Sequence, residues 1–598
     1  MDGSFFEPST QKILGKRVIA ILFYDFEVFK YDWILVLIDM DAQKETVIVN
    51  NKDELERYYS SHKNDIWAGF NSRRYDQFIL KGILAGFDPK EINDWIIVND
   101  KPGWAFSGLL REFPLNNYDV MANIDRGLKV FEGFMGNDIR ESSVPFDIDR
   151  KLTDAEIAET VKYCRHDVEQ TIEVFLRRKA DFDAQFGLLK MYKMPLSSIS
   201  KTKVQLSAGI LEAKRPTAPY ADEFEITFPP TMQIKKYSAV VDWYKNKENR
   251  KYRVNPNDPK SKKMQLEINV AGVPHQFGWG GVHGALESYS GEGIYINMDV
   301  ASLYPSLMIR YNLHSRSCNP SRYVQVRDRR LKYKAEKNPL QAALKLVLNC
   351  TYGAMKDRDS PLYDPLMANN VCVYGQLLLL DLMEHLEPYC KIIQSNTDGV
   401  LVKVADNKAF GFVDDAAWEW EKRTGLRLEF EEYARVYQKD VNNYVMVTTD
   451  GKVKSKGAYV KKLNDLDYDL PIVNRAMVDY MVKGIPLEIT ISKCDDLKEF
   501  QMIKKISNKY ESLIYGDIEN GVRLREKCVR VFASKRRSDG GLIKVHGGTG
   551  RPAKVENTPD HCFFHNECVN GVKCPEWLDK QWYVELAKRR LEGFGCKR

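Results

Sequence analysis

The sequence predicts a multidomain protein that combines the α/β and α+β classes. A chain of 598 residues is too long for one hydrophobic core, so several domains are expected. The first two hundred residues begin with a buried strand pair and end with a long amphipathic helix. The middle of the chain carries a strand–turn–helix pattern, an apolar helix and a hairpin. This order of elements differs from that of the first two hundred residues and indicates a separate domain.

The composition indicates a globular protein without a dominant charge. Hydrophobic residues make up 44% and charged residues 29%, which excludes wholesale disorder. The net charge of +6 is too small to identify a polyanionic partner by itself. The start, "MDGSFFEPSTQK", lacks the regions of a secretory signal, and no apolar run approaches the roughly 20 residues of a membrane span. Eleven scattered cysteines predict reduced thiols, so we expect a cytoplasmic protein with no membrane partner.

The stretch "RVIAILFYDFEVFKYDWILVLIDM" predicts two buried strands joined as a hairpin. Asp25 and Glu27 lie two residues apart near the end of the first strand, so their side chains leave the same face. Acids beside so apolar a run are costly unless a cation meets them. On this stretch alone, a strand that simply ends and turns polar explains the pattern equally well.

Two later segments add further acids. "AGFNSRRYDQFIL" places Asn71 and Asp76 just before an apolar helical start. "LTDAEIAETVKYCRHDVEQTIEVFLRR" predicts a long amphipathic helix whose first turn contains a capping box. Tyr163 and Asp167 are four residues apart and therefore lie on one side of that helix.

The order D-x-E, N-x3-Y-D, Y-x3-D resembles the three exonuclease motifs in the proofreading domain of family B DNA polymerases. That domain has a ribonuclease H-like fold and hydrolyses phosphodiesters with two divalent ions. Hard oxygen ligands suit Mg²⁺ or Mn²⁺. The resemblance implies that Asp25, Glu27, Asp76 and Asp167 are catalytic metal ligands and that Tyr163 orients the attacking water.

The stretch "IYINMDVASLYPSLMIRYNL" predicts a strand that reaches Asp299, a tight turn, and a helix that begins near Ser302. Backbone N–H groups at such a helix start suit an anion. The pattern D-x2-S-L-Y-P-S resembles motif A of the family B polymerases. The resemblance implies that Asp299 and Val300 bind the metals, that the turn at Ser302 and Leu303 holds the triphosphate, and that Tyr304 packs under the sugar and excludes a 2′-hydroxyl.

The stretch "LKLVLNCTYGAMK" places Lys345, Asn349 and Tyr352 on one helical face. A cation, an amide and an aromatic ring on one face suit the phosphate, sugar and base of a nucleotide. The spacing K-x3-N-x2-Y-G resembles motif B, which implies that these three residues bind the incoming nucleotide and that Lys345 is catalytic.

A second row of cations precedes that helix in "RDRRLKYKAEKNP". Arg330 and Lys334 are four residues apart, and the row resembles the first fingers helix, whose cations bind the triphosphate. Arg329 and Lys332 remain alternatives for the same role.

The stretch "SNTDGVLVK" predicts a β-hairpin with Asp398 at its tip. It resembles motif C, which usually reads D-T-D-G or D-T-D-S, whereas this chain has Asn396 at the first acidic position. In the family the second acid is the metal ligand, so Asp299 and Asp398 still provide two carboxylates for two ions. We interpret the site as active, with less negative charge beside the metals than the family usually has. An inactive site is the alternative.

The resemblance covers Arg17 to Tyr459 and implies a ribonuclease H-like exonuclease domain followed by a right-hand polymerase with palm, fingers and thumb. Only 46 residues separate motifs A and B, which favours nucleic-acid priming over protein priming. The expected division is: exonuclease domain, 1–195; connecting segment with a basic loop, 196–290; palm with motif A, 291–315; short fingers, 316–360; palm with motif C, 361–479; thumb and tail, 480–598.

The expected function is template-directed DNA synthesis with 3′–5′ proofreading. Expected ligands are primer–template DNA, deoxynucleoside triphosphates, and two Mg²⁺ or Mn²⁺ ions per site. The compact chain is phage-like, which predicts a monomeric enzyme of phage replication in the cytoplasm of a bacterial host. Two rival hypotheses remain: a nuclease in which only the first site works, and a non-catalytic DNA-binding scaffold.

Three other features leave alternatives open. Residues 235–263 carry ten Lys or Arg against three acids, and "ASKRRSDGGLIKVHGGTGRPAK" is cationic and glycine-rich. Each indicates either phosphate contacts or a solvated loop. The spacing C-x2-H-x2-C-x5-C from Cys562 to Cys574 suits either a zinc site or a strand near the C-terminus.

Overall fold

A computed structural model describes residues 12–14, 17–121, 126–218, 220–250, 264–457 and 459–596. The chain forms two compact units, each assembled from several stretches of sequence. Unit 1 comprises the described residues of Met1–Thr202, Leu463–Leu470 and Asp495–Asp579, and unit 2 those of Lys203–Lys462, Pro471–Cys494 and Lys580–Arg598. The expected multidomain, mixed α/β class is confirmed.

Unit 1 begins with a two-stranded hairpin and a five-stranded sheet. The strands are β1 (Lys12–Leu14), β2 (Arg17–Ile19), β3 (Ile21–Val28), β4 (Trp33–Asp39), β5 (Lys44–Val49), β6 (Ile66–Gly69) and β7 (Asn117–Asp119). The large sheet has the order β5-β4-β3-β6-β7. The predicted hairpin is present, because β3 and β4 pair antiparallel, whereas β6 and β7 are parallel additions.

Helices cover both faces of this sheet, which explains why its central strands are mostly apolar on both sides. The helices are α1 (Lys52–His62), α2 (Asp76–Ala85), α3 (Pro89–Asn93), α4 (Gly108–Glu112), α5 (Leu128–Met135), α6 (Asp154–Arg177) and α7 (Lys179–Met191). Tyr24 and Phe26 belong to a core with α1 and α2. Phe23 points the other way and packs against Phe175 of α6. Asp25 and Glu27 lie two and four residues after Phe23 on the same strand, and alternate residues of a strand face the same side. Both acids therefore point toward α6, as Phe23 does.

Unit 2 contains a nine-stranded antiparallel sheet with the order β16-β15-β14-β11-β13-β12-β10-β9-β8. Its strands are β8 (Gln265–Val270), β9 (Val273–Gly278), β10 (His283–Ala285), β11 (Tyr289–Val300), β12 (Lys391–Ser395), β13 (Gly399–Val404), β14 (Leu428–Asp440), β15 (Asn443–Thr448) and β16 (Val453–Lys456). The strands with motifs A and C, β11 and β13, are direct neighbours near the middle.

Helices of unit 2 pack on this sheet and around its edges. They are α8 (Lys203–Ile210), α9 (Ser238–Lys245), α10 (Leu303–Arg310), α11 (Pro320–Ala335), α12 (Leu340–Lys356), α13 (Pro365–Leu386), α14 (Asn407–Thr424), α15 (Pro471–Lys483), α16 (Leu487–Lys493) and α17 (Lys580–Glu592). Helices α11 and α12 form the pair expected between motifs A and C. By length and composition α13 could span a membrane, contrary to the sequence expectation, but 94% of its apolar window is buried inside the protein.

The predicted thumb segment, 480–598, does not form one body. Residues 495–579 make a β-rich module within unit 1, whereas α15, α16 and α17 pack together in unit 2. The module has two sheets, β17-β20-β23 and β19-β18-β21-β22. Its strands are β17 (Met502–Lys505), β18 (Tyr510–Gly516), β19 (Val522–Leu524), β20 (Cys528–Ala533), β21 (Gly541–His546), β22 (Pro552–Lys554) and β23 (Cys562–Phe564).

The structure also bears on the three open features of the sequence. The glycine-rich cationic stretch forms paired strands, β21 and β22, rather than a loop throughout. In the basic segment 235–263, residues 251–263 lie outside the described residues. Cys562 is buried on β23, Cys568 is exposed, and no three of the Cys and His residues between 562 and 574 bring ligand atoms within 4.8 Å of one another. The strand of the second alternative is therefore present at Cys562–Phe564.

Candidate functional sites

The two aspartates predicted for unit 2 meet through strand register. Asp299 is the next-to-last residue of β11 and lies opposite Gly399, the first residue of β13. The backbone N–H of Val300 donates to the carbonyl of Asp398 at 2.7 Å. A Cβ on Gly399 would lie 1.9 Å from Oδ1 of Asp299, so any other residue at this position must displace that carboxylate. The pairing thus fixes the acid of the hairpin tip beside the acid of the neighbouring strand.

Asn396 builds the hairpin tip. Its Oδ1 accepts hydrogen bonds from the backbone N–H groups of Asp398 at 3.0 Å and Gly399 at 2.7 Å. Its own N–H donates to the carbonyl of Gly399 at 3.0 Å. An amide oxygen therefore performs a turn-forming role that a carboxylate oxygen also performs, without adding a charge beside Asp398.

The carboxylate of Asp299 is in surroundings that a bound cation would stabilise. Its Oδ1 is buried and has no hydrogen-bond partner among the described residues. Burial raises the pKa of Asp299, and the neighbouring Asp398 raises it further, whereas Lys454 opposes the shift. Lys454 is itself paired with Glu431 at 2.9 Å. A buried carboxylate oxygen without a partner is costly, and carboxylate oxygens are ligands that Mg²⁺ and Mn²⁺ accept. The donor set therefore fits a divalent ion.

All the residues predicted for this site line one pocket of about 640 Å³, which we call the nucleotide pocket. The size lies within the range of small-molecule sites. The predicted residues are Asp299, Val300, Ser302, Leu303, Tyr304, Arg330, Lys334, Lys345, Asn349, Tyr352 and Asp398. Glu429 also lines the pocket and was not predicted; it lies opposite Asp299 on β14, a register that no local pattern revealed.

The walls of the nucleotide pocket combine a helix start, cations and two aromatic rings in contact. Ser302, which precedes α10, has a left-handed backbone with φ 51° and ψ 57°. Arg330 donates through Nη1 to the Oγ of Ser302 at 3.3 Å, which joins α11 to this turn. The rings of Tyr304 and Tyr352 lie 4.1 Å apart at 31°. The pocket therefore offers donors and positive charge on one side and aromatic surface on another.

Unit 1 brings the first set of predicted acids together between β3, α2 and α6. Ligand atoms of Asp25, Glu27 and Cys164 lie within 4.8 Å of one another. The Sγ of Cys164 lies 3.6 Å from Oδ2 of Asp25. Asp76 begins α2, and its Oδ1 accepts a hydrogen bond from the backbone N–H of Phe26 at 3.3 Å. That bond places Asp76 beside the strand segment between the two acids of β3.

Lys129 on α5 supplies a cation that the sequence analysis missed. Its Nζ lies 2.6 Å from Oδ1 of Asp167 and 3.1 Å from Oε1 of the buried Glu132. The same Nζ lies 4.7 Å from the centre of the Tyr163 ring. The only sequence signal was indirect, because acids on an apolar strand demand a counter-charge somewhere.

The acids of unit 1 remain under-compensated despite Lys129. Burial and the surrounding acids raise the pKa of Asp25 and of Glu27, and burial raises the pKa of Asp167. Burial also raises the pKa of Asp76 to about 7. Lys129 lowers the pKa of the other three, but one lysine cannot balance four carboxyls of which Glu27 and Asp76 are buried and Asp25 and Asp167 partly buried. Such excess negative charge among oxygen ligands fits divalent cations.

Comparison with known proteins finds relatives of part of the chain. No protein-family profile matches the chain. It is 26% identical over 308 residues to DNA polymerase 1 of Saccharolobus solfataricus, a match that covers 43% of this chain and 33% of the relative. It is 24% identical over 300 residues to DNA polymerase 1 of Sulfurisphaera ohwakuensis, covering 41% and 32%. The chain is a relative of the family B DNA polymerases. The match spans about a third of the length of these curated relatives.

A solved family B DNA polymerase from Pyrobaculum calidifontis aligns with 97% of this chain and 79% of its own, at 14% identity and a TM-score of 0.41. The relatives named here are archaeal by their sources, so they give no support to the expected phage origin. The ribonuclease H-like and right-hand arrangements and the roles of the individual residues stay predictions.

Proposed function

We propose that the chain is a template-directed DNA polymerase that adds deoxynucleotides to a primer 3′ end and removes them with a separate 3′–5′ exonuclease. The observation that carries the proposal is the register of β11 and β13. It sets Asp299 beside Asp398 in a pocket that also collects the predicted nucleotide ligands from α10, α11 and α12.

In the proposed polymerase site, Asp299, Asp398 and Val300 would hold two Mg²⁺ or Mn²⁺ ions. Such ions, when bound, activate the attacking oxygen and stabilise the leaving one. Lys345 and the cations of α11 would bind the triphosphate of the incoming nucleotide. The Tyr304 ring, which packs against the tilted ring of Tyr352, would lie under the sugar and leave no room for a 2′-hydroxyl.

In the proposed exonuclease site, the four acids Asp25, Glu27, Asp76 and Asp167 would hold a second pair of ions, which supply the same chemistry to a water molecule. Tyr163 would orient that water. Lys129 would favour the ionised form of Asp167 and oppose the effect of burial on its pKa, because an ammonium group stabilises the carboxylate.

The proposal extends to partners and setting. Primer–template DNA and deoxynucleoside triphosphates follow from the reaction. A monomeric enzyme, a cytoplasmic location and a role in replicating a phage genome rest on the sequence alone.

To test the proposal, the protein is incubated with primer–template DNA and Mg²⁺, once with the four deoxynucleotides and once without them. We expect extension with nucleotides and 3′ shortening without them. Shortening under both conditions would favour the nuclease hypothesis, and binding without turnover would favour the scaffold.

Matched variants assign the two activities to the two sites. Asp398→Ala is expected to abolish extension and preserve shortening, whereas Asp25→Ala with Glu27→Ala is expected to do the reverse. Extension by Asp398→Ala at the wild-type rate would remove Asp398 from catalysis. Loss of both activities in each variant, with the fold intact by circular dichroism, would contradict two separate sites.

A further inference from the structure

A second pocket adjoins the nucleotide pocket in unit 2. It has a volume of about 570 Å³, and we call it the basic pocket. The two pockets share one wall, formed by Ser302, Pro305, Arg330, Lys334 and Glu429. On its far side the basic pocket reaches Arg310, at the end of α10, and Arg427, just before β14. No predicted role in nucleotide binding used either of these arginines.

The basic pocket concentrates positive charge. Its lining includes five cations, Arg310, Arg327, Arg330, Lys334 and Arg427, against one acid, Glu429. Arg327 is neutralised by Asp328 at 2.5 Å. Among the described residues, the other four cations have no ion-pair partner. The pocket therefore holds a positive potential that its own side chains do not balance.

The hydrogen-bond donors of two of these cations, Arg330 and Arg310, are only partly used. The Nε of Arg330 is buried and has no hydrogen-bond partner in the described structure. Arg310 donates through Nε only to a backbone carbonyl, that of Thr424, at 3.2 Å. A buried guanidinium donor without an acceptor is costly, so an anion that supplied an oxygen to the Nε of Arg330 would be stabilised at this wall.

We propose that the basic pocket receives the pyrophosphate released by nucleotide addition; this inference rests on the proposed polymerase function. In that reaction the primer 3′ oxygen bonds to the α-phosphorus and gives up its proton to solvent water. The bond between the α-phosphorus and its bridging oxygen breaks, and pyrophosphate leaves with the electron pair. Arg330 and Lys334 line both pockets, so they contact the anion on either side of the shared wall.

The shape of the basic pocket favours a small polyanion over a nucleic-acid strand. The cations surround a concavity of limited volume instead of forming a row along a surface. A small, highly charged ligand satisfies several guanidinium groups at once, and arginine suits phosphate through paired N–H donors. A template-strand phosphate is the competing occupant that the experiment must separate.

Arg427→Gln is the first test variant. The side chain is exposed, and the backbone carbonyl of Arg427, which accepts from the N–H of Ala301 at 2.8 Å, remains in place. Arg310→Gln is the second variant. Lys408→Gln is the matched control, because it removes one charge from α14 in the same unit and lines neither pocket.

The readout is pyrophosphorolysis by the full chain with Mg²⁺, primer–template and pyrophosphate, with released deoxynucleoside triphosphates separated chromatographically from the monophosphates of exonuclease action. We expect the half-saturating pyrophosphate concentration to rise about tenfold in Arg427→Gln, since a charge-assisted contact is lost. The KM for deoxynucleotides in primer extension by Arg427→Gln should equal that of the wild type. The control variant Lys408→Gln should match the wild type in both constants. Unchanged pyrophosphate dependence in both arginine variants would overturn the inference, as would an equal rise in both constants.

Calorimetry separates this inference from the proposed function. Magnesium pyrophosphate titrated into the full chain without DNA should bind more weakly to Arg427→Gln than to the wild type and the control. That result in a protein that does not extend primers would refute the polymerase proposal, and with it the source of the anion, but would leave the binding of pyrophosphate in the basic pocket established. Weaker primer–template binding with unchanged pyrophosphate binding would assign the pocket to the template strand and overturn the inference.

Discussion

The amide oxygen of Asn396 lies 3.0 Å from the backbone nitrogen of Asp398 and accepts its hydrogen bond. The residue two positions before the candidate metal ligand is thus a support for the hairpin tip. Because Oδ1 also accepts from Gly399, the side chain determines where the tip places Asp398. The missing acid of motif C changes the local charge while the turn is preserved.

The first prediction concerns Asn396. Asn396→Ala removes two hydrogen bonds to backbone N–H groups, each worth about 1 kcal/mol, and should slow primer extension about tenfold by displacing Asp398. Asn396→Asp retains the acceptor and adds a negative charge, so we expect extension to persist with a lower half-saturating Mg²⁺ concentration. Steady-state extension across a Mg²⁺ titration checks both. Wild-type behaviour of the alanine variant would show that the tip does not depend on this side chain.

The second prediction concerns Gly399. A methyl group there would overlap Oδ1 of Asp299, so Gly399→Ala must push the two strands or the carboxylate apart. We expect loss of extension, with 3′ shortening in unit 1 retained. Gly411→Ala is the control, because its added Cβ meets nothing within 4 Å and lies in α14. That change should leave extension intact and stabilise the helix by up to about 1 kcal/mol.

The third prediction concerns pH and metal removal in unit 1. Carboxyls of an unfolded chain ionise near pH 4, whereas burial raises the folded-state pKa of Asp76 to about 7 and raises those of Asp25 and Glu27. The folded state therefore binds more protons than the unfolded state between these values. Linkage then requires that metal-free stability falls as pH rises from about 4 through 7.

Thermal unfolding of the protein in EDTA should thus occur at a lower temperature at pH 8 than at pH 5.5, and Mg²⁺ should restore stability at pH 8. Asp76→Asn removes one of the titrating groups and should flatten the dependence in EDTA. A metal-free protein that is equally stable at both pH values would contradict the raised pKa values.

Local patterns predicted much of both candidate sites. The turn at Ser302, the helix face of Lys345 and the tip at Asp398 are each specified within about twenty residues, so the sequence reveals them. Lys129 was missed because it lies outside every motif and reaches Asp167 only through tertiary packing. Glu429 was missed because strand register, not spacing, puts it opposite Asp299.

The division of the C-terminal region could not be predicted for a related reason. Residues 495–579 join unit 1 through contacts with segments more than 350 positions away in sequence. A hydrophobic strand pattern indicates that a sheet forms but does not identify its partner. The assignment of 480–598 to one thumb followed the order of the family and had no local signal behind it.

Arg530 of β20 is one of the polar connections between the β-module and the α5 region within unit 1. Its side chain is fully buried. Nε donates to the Oε1 of Gln501 at 3.1 Å, Nη1 to the carbonyl of Glu567 at 2.6 Å, and Nη2 to the carbonyl of Asn137 at 2.7 Å. A second bond from Nη2 reaches the carbonyl of Gly133, in α5, at 3.3 Å.

The fourth prediction is that Arg530→Met lowers the free energy of unfolding by about 3–5 kcal/mol, because several buried acceptors lose their donor. Arg537→Met, an exposed position in the same module, should change it by less than about 0.5 kcal/mol. Chemical denaturation of the full chain measures both. Because α5 also carries Lys129, the first variant should lose 3′ shortening at temperatures where extension by unit 2 persists. Equal decline of the two activities would show that Arg530 supports the whole chain and has no particular effect on the position of α5.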